Sequence, residues 1–241
     1  MSPRVTMSLS PAVFARTALA VILLLGAMHL VTIAIALRTG AVHAEAHPSA
    51  GVGAVIAMFD LNRERNVPTW VSTLLLAAGS ITAAWTWTRR RGGRDRIYWL
   101  GLAAVFAVMS LDEASELHER LNHRIRPFLD GDAGGLLHYP WVLAAGAAAI
   151  TLAAVYSGFL LRLPRAVAGR IVLAGALFIL GAVGCELFEG VIDSRGGPTT
   201  PALMTAFTAL IVVEECLEMG ATALFTHTLL RYDLDHPPGA G

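Results

Sequence analysis

The chain has 241 residues, 55% of them hydrophobic and 15% charged, with a mean hydropathy of +0.60. A soluble domain carries about 25% charged residues, and apolar runs of roughly 20 residues, the length that crosses a bilayer as a helix, recur along this one. This balance excludes a secreted disulfide scaffold, a nucleic-acid binder and a cytosolic dinucleotide enzyme. The net charge of zero points to no basic or acidic partner. All 18 basic residues are arginine, which rules out lysine Schiff-base chemistry, and two cysteines cannot make a disulfide framework.

In chain order, polar flanks mark off six apolar segments, about 17–37, 70–88, 97–118, 139–161, 171–192 and 202–230. Each is long enough to cross ~30 Å of hydrocarbon at 1.5 Å per residue. No ten-residue alternating pattern repeats, so helices rather than a barrel must satisfy the backbone in lipid. The expected fold is all-α, a six-transmembrane-helix bundle forming one integral membrane domain over 1–241, with a disordered tail at 235–241. Small residues such as Gly175, Gly181, Gly184 and many alanines read as close helix packing.

Arginines set the expected orientation. Arg89, Arg90, Arg91, Arg94 and Arg96 follow the second segment, and Arg162, Arg165 and Arg170 follow the fourth. The positive-inside rule makes both connections cytoplasmic, with Arg4, Arg16 and Arg231, so both termini face the cytoplasm. The outward loops hold Arg63, Arg65, Arg120, Arg124 and Arg126, which weaken the asymmetry. Val42-His43-Ala44 has the character of a signal cleavage site, but the apolar run before it is longer than a signal core.

Acidic residues interrupt three of the apolar segments. The third carries Asp112, Glu113 and Glu116 and runs into His118-Glu119, the fifth carries Glu186 and Glu189, and the sixth Glu214, Glu215 and Glu218. Each costs about 2.5–3.5 kcal/mol at mid-helix and belongs on a protein interior. Counted from the arginine-bearing ends, Glu113, Glu186 and Glu215 all lie ~22–24 Å up, in the outer half of the membrane. At ~100° per residue, Asp112, Glu116, Glu119 and His123 form one stripe, and Glu186 shares a face with Asp193.

Carboxylates gathered in low dielectric cannot all stay ionised without bound cations or shared protons. Glu-x-x-Glu spacing recurs, placing two carboxylates on adjacent turns, and an oxygen-rich set with His118 or His123 suits Mn or Fe and less specifically Zn, Ca or Mg. The candidate ligands of a divalent metal (Mn, Fe or Zn) are thus Asp112, Glu113, Glu116, His118, Glu119, His123, Glu186, Glu189, Glu214, Glu215 and Glu218. The Glu-x-x-His element of di-iron bundles is absent from these segments. The expected function is a metal site between the third, fifth and sixth helices, compatible with an enzyme acting on a lipid-soluble substrate. A cation or proton transporter, and an accessory subunit with a merely structural polar core, are the alternatives. The partners expected are the bilayer and the metal, with no nucleic acid and with homo-oligomer formation left open.

Cys185 and Cys216 sit near the carboxylate level as soft ligands, a redox pair or small fillers. His43, Glu45 and His47 offer ligands in a loop that otherwise reads as merely polar, and His29 and His227 read as core histidines. The apolar stretch 51–59 is too short to span and suits an interfacial segment or a lid. Beyond it Asp60 and Glu64 either overhang the mouth of the bundle or belong to a plain solvated loop.

Phe59-Asp60 with Glu64, Asn66 and Pro68-Thr69-Trp70, Asp112-Glu113 with His118-Glu119, and Glu214-Glu215 with Glu218-Met219-Gly220 make a distinctive set. In these the chain resembles a group of uncharacterised bacterial multi-pass membrane proteins. The resemblance implies the helical bundle and brings no activity with it.

Overall fold

The computed structural model describes residues 10–39, 51–90, 93–129 and 134–237, and all regular structure among them is helical. His43, Glu45 and His47, the cleavage-site reading, Arg4, Arg91 and the end of the tail lie outside these residues. The helices are α1 (Pro11–Thr39), α2 (Val52–Phe59), α3 (Val67–Arg89), α4 (Arg96–Ser115), α5 (Leu117–Ile125), α6 (Trp141–Leu160), α7 (Arg165–Ile179), α8 (Glu186–Asp193) and α9 (Pro201–Asp235). A π-helical turn, Leu180–Cys185, joins α7 to α8, so the two make one continuous rod.

Among the described residues five candidate spans are long and apolar enough to cross a membrane: α1, α3, α4, α6 and the α7–α8 rod. Their outer surfaces are apolar as well, with Leu23, Val108, Ile150 and Phe188 each more than half exposed, as expected where the solvent is hydrocarbon. The expected sixth crossing, α9, has 35 residues, ample in length. Its glutamates and the charged residues of its last turns set it apart in composition.

Local chemistry fixes the helix starts. Asn66 caps α3 by accepting from Thr69 N at 3.2 Å, with Pro68 in the first turn. Thr200 caps α9 in the same way from Leu203 N. The first residue of α6, Trp141, gives its backbone N–H to the buried Asn122 of α5 at 2.9 Å.

The tight core lies at the arginine-rich end, where Ala83, Trp99, Phe159, Phe225 and Leu229 are buried together. Tyr98 stacks on Phe159 at 4.8 Å between centroids, and Phe106 on Phe225 at 4.2 Å. Arg162 reaches Asp95 at 2.6 Å, and Arg90 lies over the Tyr232 ring near Asp233, so both arginine-bearing connections share one side. Helix α1 packs on α9 through Ile22, Leu25 and Met219.

The expectation of close packing at small residues holds at Gly181, Gly79 and Ala83 but not at every position. A Cβ at Gly181 would meet the Glu214 carbonyl and the Glu218 side chain at 3.0 Å, so α9 crosses the rod there at backbone contact. Gly175 faces open space. Ala145, Ala148 and Ala149 of α6 line a cavity rather than a neighbouring helix.

Gly181→Ala is expected to lower the unfolding midpoint in detergent, with overpacking costing about 1–3 kcal/mol. Gly175→Ala should leave the midpoint unchanged in the same assay.

Candidate functional site

Between the helices, on the side away from the arginine-rich core, lies a cavity of about 880 Å³. Its wall includes ten carboxylates, Glu64, Asp112, Glu113, Glu119, Glu186, Glu189, Asp193, Glu214, Glu215 and Glu218, and, among the described residues, no arginine. His118 is the one imidazole that the described residues bring to that wall. Spans distant in sequence therefore bring their acids to one chamber, as the equal depths of Glu113, Glu186 and Glu215 imply.

Two of the candidate ligands do not join the wall. The third helix is not continuous through its acids: Glu116 adopts φ 55, ψ 46, the left-handed region, and ends α4 before α5 restarts at Leu117. The uninterrupted stripe of Asp112, Glu116, Glu119 and His123 therefore does not exist. At the break Asp112 accepts from His118 N at 2.7 Å and meets the ring Nδ1 at 3.1 Å, capping the new helix. Glu116 turns to Arg65 in a two-point ion pair at 2.5 and 2.9 Å, and His123 is exposed.

Arg65 is itself left-handed, with φ 61, so two strained backbone positions face one another across this pair. They fasten the loop after α2 to the α4–α5 break. The same loop is held from within by Asn66, whose amide donates to the carbonyls of Asp60 at 2.6 Å and Ala57 at 3.3 Å. Glu64 is thereby turned onto the cavity wall, where its carboxylate accepts from the Thr69 hydroxyl at 3.3 Å. Of the two readings of this loop, the structure shows Glu64 in the chamber. Asp60 instead lies 3.4 Å from the His29 ring, which also accepts from Leu61 N.

The rod contributes Glu186 and Glu189 at the start of α8. Glu186 accepts from the Trp141 indole at 3.1 Å, and the Tyr139 hydroxyl donates to Asp193, so the start of α6 is tied to α8 as well as α5. Glu189 is 7% exposed and its Oε1 has no partner among the described residues. Its carboxyl interacts with that of Glu214 on α9 beside it. Two carboxyls this close require a proton or a cation between them. Cys185 and Cys216 are free thiols and neither is part of the wall. Among the described residues no three of these side chains converge closely enough to hold an ion as they stand. The acids ring the chamber instead.

Outside the spans, burial pushes the Glu64 carboxyl up, with the charges of Glu116 and Glu119 adding, and the charge of His118 and the hydrogen bond from Thr69 opposing. Burial alone would lower His118, but the Asp112 hydrogen bond and charge outweigh it and raise the imidazolium to about 9.

The arrangement defines a class, a helical membrane protein with a carboxylate-walled chamber at the end of its bundle away from the arginine-rich core. The chain belongs to the family described as Domain of unknown function (DUF8692), whose model matches residues 11–232. No curated protein and no solved structure matches it.

Among the carboxylates left out of the sequence-based ligand set, Glu64 and Asp193 reach the wall, Glu64 from a loop. The signal was there in Asn66 and Pro68, which mark a helix start and so a reversal of the chain two residues after Glu64.

His118 titrates above its unfolded value of about 6.5, so the stability it gives is complete below that pH and is lost as pH rises through about 9. The unfolding midpoint should fall between pH 7 and 10 more steeply for the native protein than for His118→Asn. Equal slopes would show that the Asp112 contact does not set the charge of the ring.

Proposed function

We propose that the chamber is a divalent-metal centre held by glutamates of three spans, in a protein of a bacterial inner membrane with both termini cytoplasmic and α9 as a sixth crossing. The observation that carries this reading is Glu189, buried beside Glu214 with one oxygen unpartnered, on a wall with no arginine among the described residues to balance it. Glu186, Glu189, Glu214, Glu215, Glu218 and Glu113 are the ligand set, and Glu64 closes it from the loop. Staggered side-chain torsions give each glutamate several reachable positions, so modest rotations bring ringed carboxylates onto one or two ions. Asp112 and His118 occupy each other and position the α4–α5 break. An oxygen-dominated donor set fits Mn or Fe better than Zn.

A metal in such a site supplies a Lewis acid and a bound water made acidic enough to react at neutral pH, which is the basis for reading the protein as an enzyme. A site is favoured over a through-path by packing. Below the chamber Ala83, Trp99, Phe225 and Leu229 are buried against each other, and the threonines of α9 there bond back to their own helix.

Protein purified without chelator or histidine tag should carry stoichiometric Mn or Fe by elemental mass spectrometry. Glu189→Gln and Glu215→Gln should each lower that content at least tenfold with helicity unchanged. A metal-free native protein whose variants fold normally would sink the reading and favour cation or proton flux.

A further inference from the structure

We infer that the chamber's apolar arm binds the hydrocarbon tail of a single-chain anionic amphiphile whose head group meets the carboxylate end. The sign of the head group rests on the metal reading above, and the place of the tail does not. The chamber is one space with two chemistries. One end is the carboxylate ring; the other is walled by Val105, Val108 and Met109 of α4, Ala148 and Leu152 of α6, and Phe178 of α7. Ions alone need no such arm, and about 880 Å³ lies in the range of organic-ligand cavities, roughly 300–1,000 Å³.

The arm opens sideways. Helix α6 is tied to its neighbours at both ends, through Asn122 and Glu186 near Trp141 and through Tyr98 near Tyr156 and Phe159. Between those ties its alanines leave a slot facing α4. Val108 is 62% exposed and also part of the cavity wall, and Ala148 is likewise both exposed and on the wall. These positions lie midway along spans, so the slot faces hydrocarbon rather than water. A tail enters it from the bilayer without leaving an apolar medium, and the continuous cavity delivers its head to the glutamates.

An anion is the partner that a metal on those glutamates would hold.

The test uses the full chain in phosphatidylcholine nanodiscs, with metal content measured on the same samples. The probe is a lysophosphatidic acid brominated near the ester end of its chain, read by quenching of Trp141 after subtraction of a Trp141→Phe control. Saturable quenching is expected, weakened at least tenfold by Ala148→Phe with metal content unchanged. Val108→Phe fills the slot from the facing helix without adding an indole and should do the same, which covers the case of one variant failing to fold. Equal quenching in both slot variants, with metal retained, overturns the tail assignment and leaves the metal centre standing. Equal binding of brominated lysophosphatidylcholine overturns the anionic head. Preference for a brominated alkylammonium by metal-free protein overturns the head assignment and the metal reading together, while its loss in Ala148→Phe would still support the tail's place.

Discussion

Carboxylates held in a medium of low dielectric without arginine are the constraint on which the rest of this molecule depends. A salt bridge would let the helices close on each other, each charge answered by its neighbour. Here the acids of α4, α8 and α9 face a common space, and collapse of that space would press like charges together at a cost no local contact offsets. The bundle is therefore tight at one end and hollow at the other. Aromatic stacking at the arginine-rich end supplies the cohesion that the glutamate end cannot.

The hollow end is kept in shape from outside the spans. Asn66 and Asn122 do related work, each capping a helix with its amide oxygen, and Asn66 also gathers the chain that precedes it with its NH₂ group. The break at Glu116 lets one chain segment contribute both a span and a surface helix, and the carboxylate just before the break satisfies the first exposed N–H groups after it. Each device serves the backbone's need for partners at a helix end and also aims a carboxylate inward.

Five of the six segments were legible as apolar spans, and the sixth as a long helix, because hydropathy and arginine flanks act locally. Trp70, expected at the second span's start, falls in the first turn of α3, and the expected edges at Leu161 and Leu37 lie within a few residues of the observed ends. The common level of Glu113, Glu186 and Glu215 was legible for a simple reason: rise per residue is nearly constant. Facing was not. It accumulates through every residue, so one left-handed residue at 116 is enough to send Glu116 and His123 away from Asp112, and no residue type there announces it, since glutamate is not a turn former. The alanines of α6 misled for the opposite reason, because a small side chain permits close approach and equally permits a void. Whether Glu64 belonged to the chamber depended on contacts with Thr69 and on the fold of the loop, which are tertiary facts.

The π-helical turn at Leu180–Cys185 separates two jobs that a uniform helix would have to reconcile. Residues before it obey one angular phase, set by Val167 and Ala174 in the core and Phe178 on the apolar arm, and residues after it obey another, which turns Glu186 and Glu189 to the carboxylate end. A wide turn absorbs one additional residue without lengthening the rod by a full step, and so acts as a phase shifter between the two halves of a crossing. Substitutions on the exposed face of α7, such as at Leu173, can then be made without rotating Glu186 and Glu189. Straightening this turn would swing both carboxylates around the rod while every flanking loop kept its place.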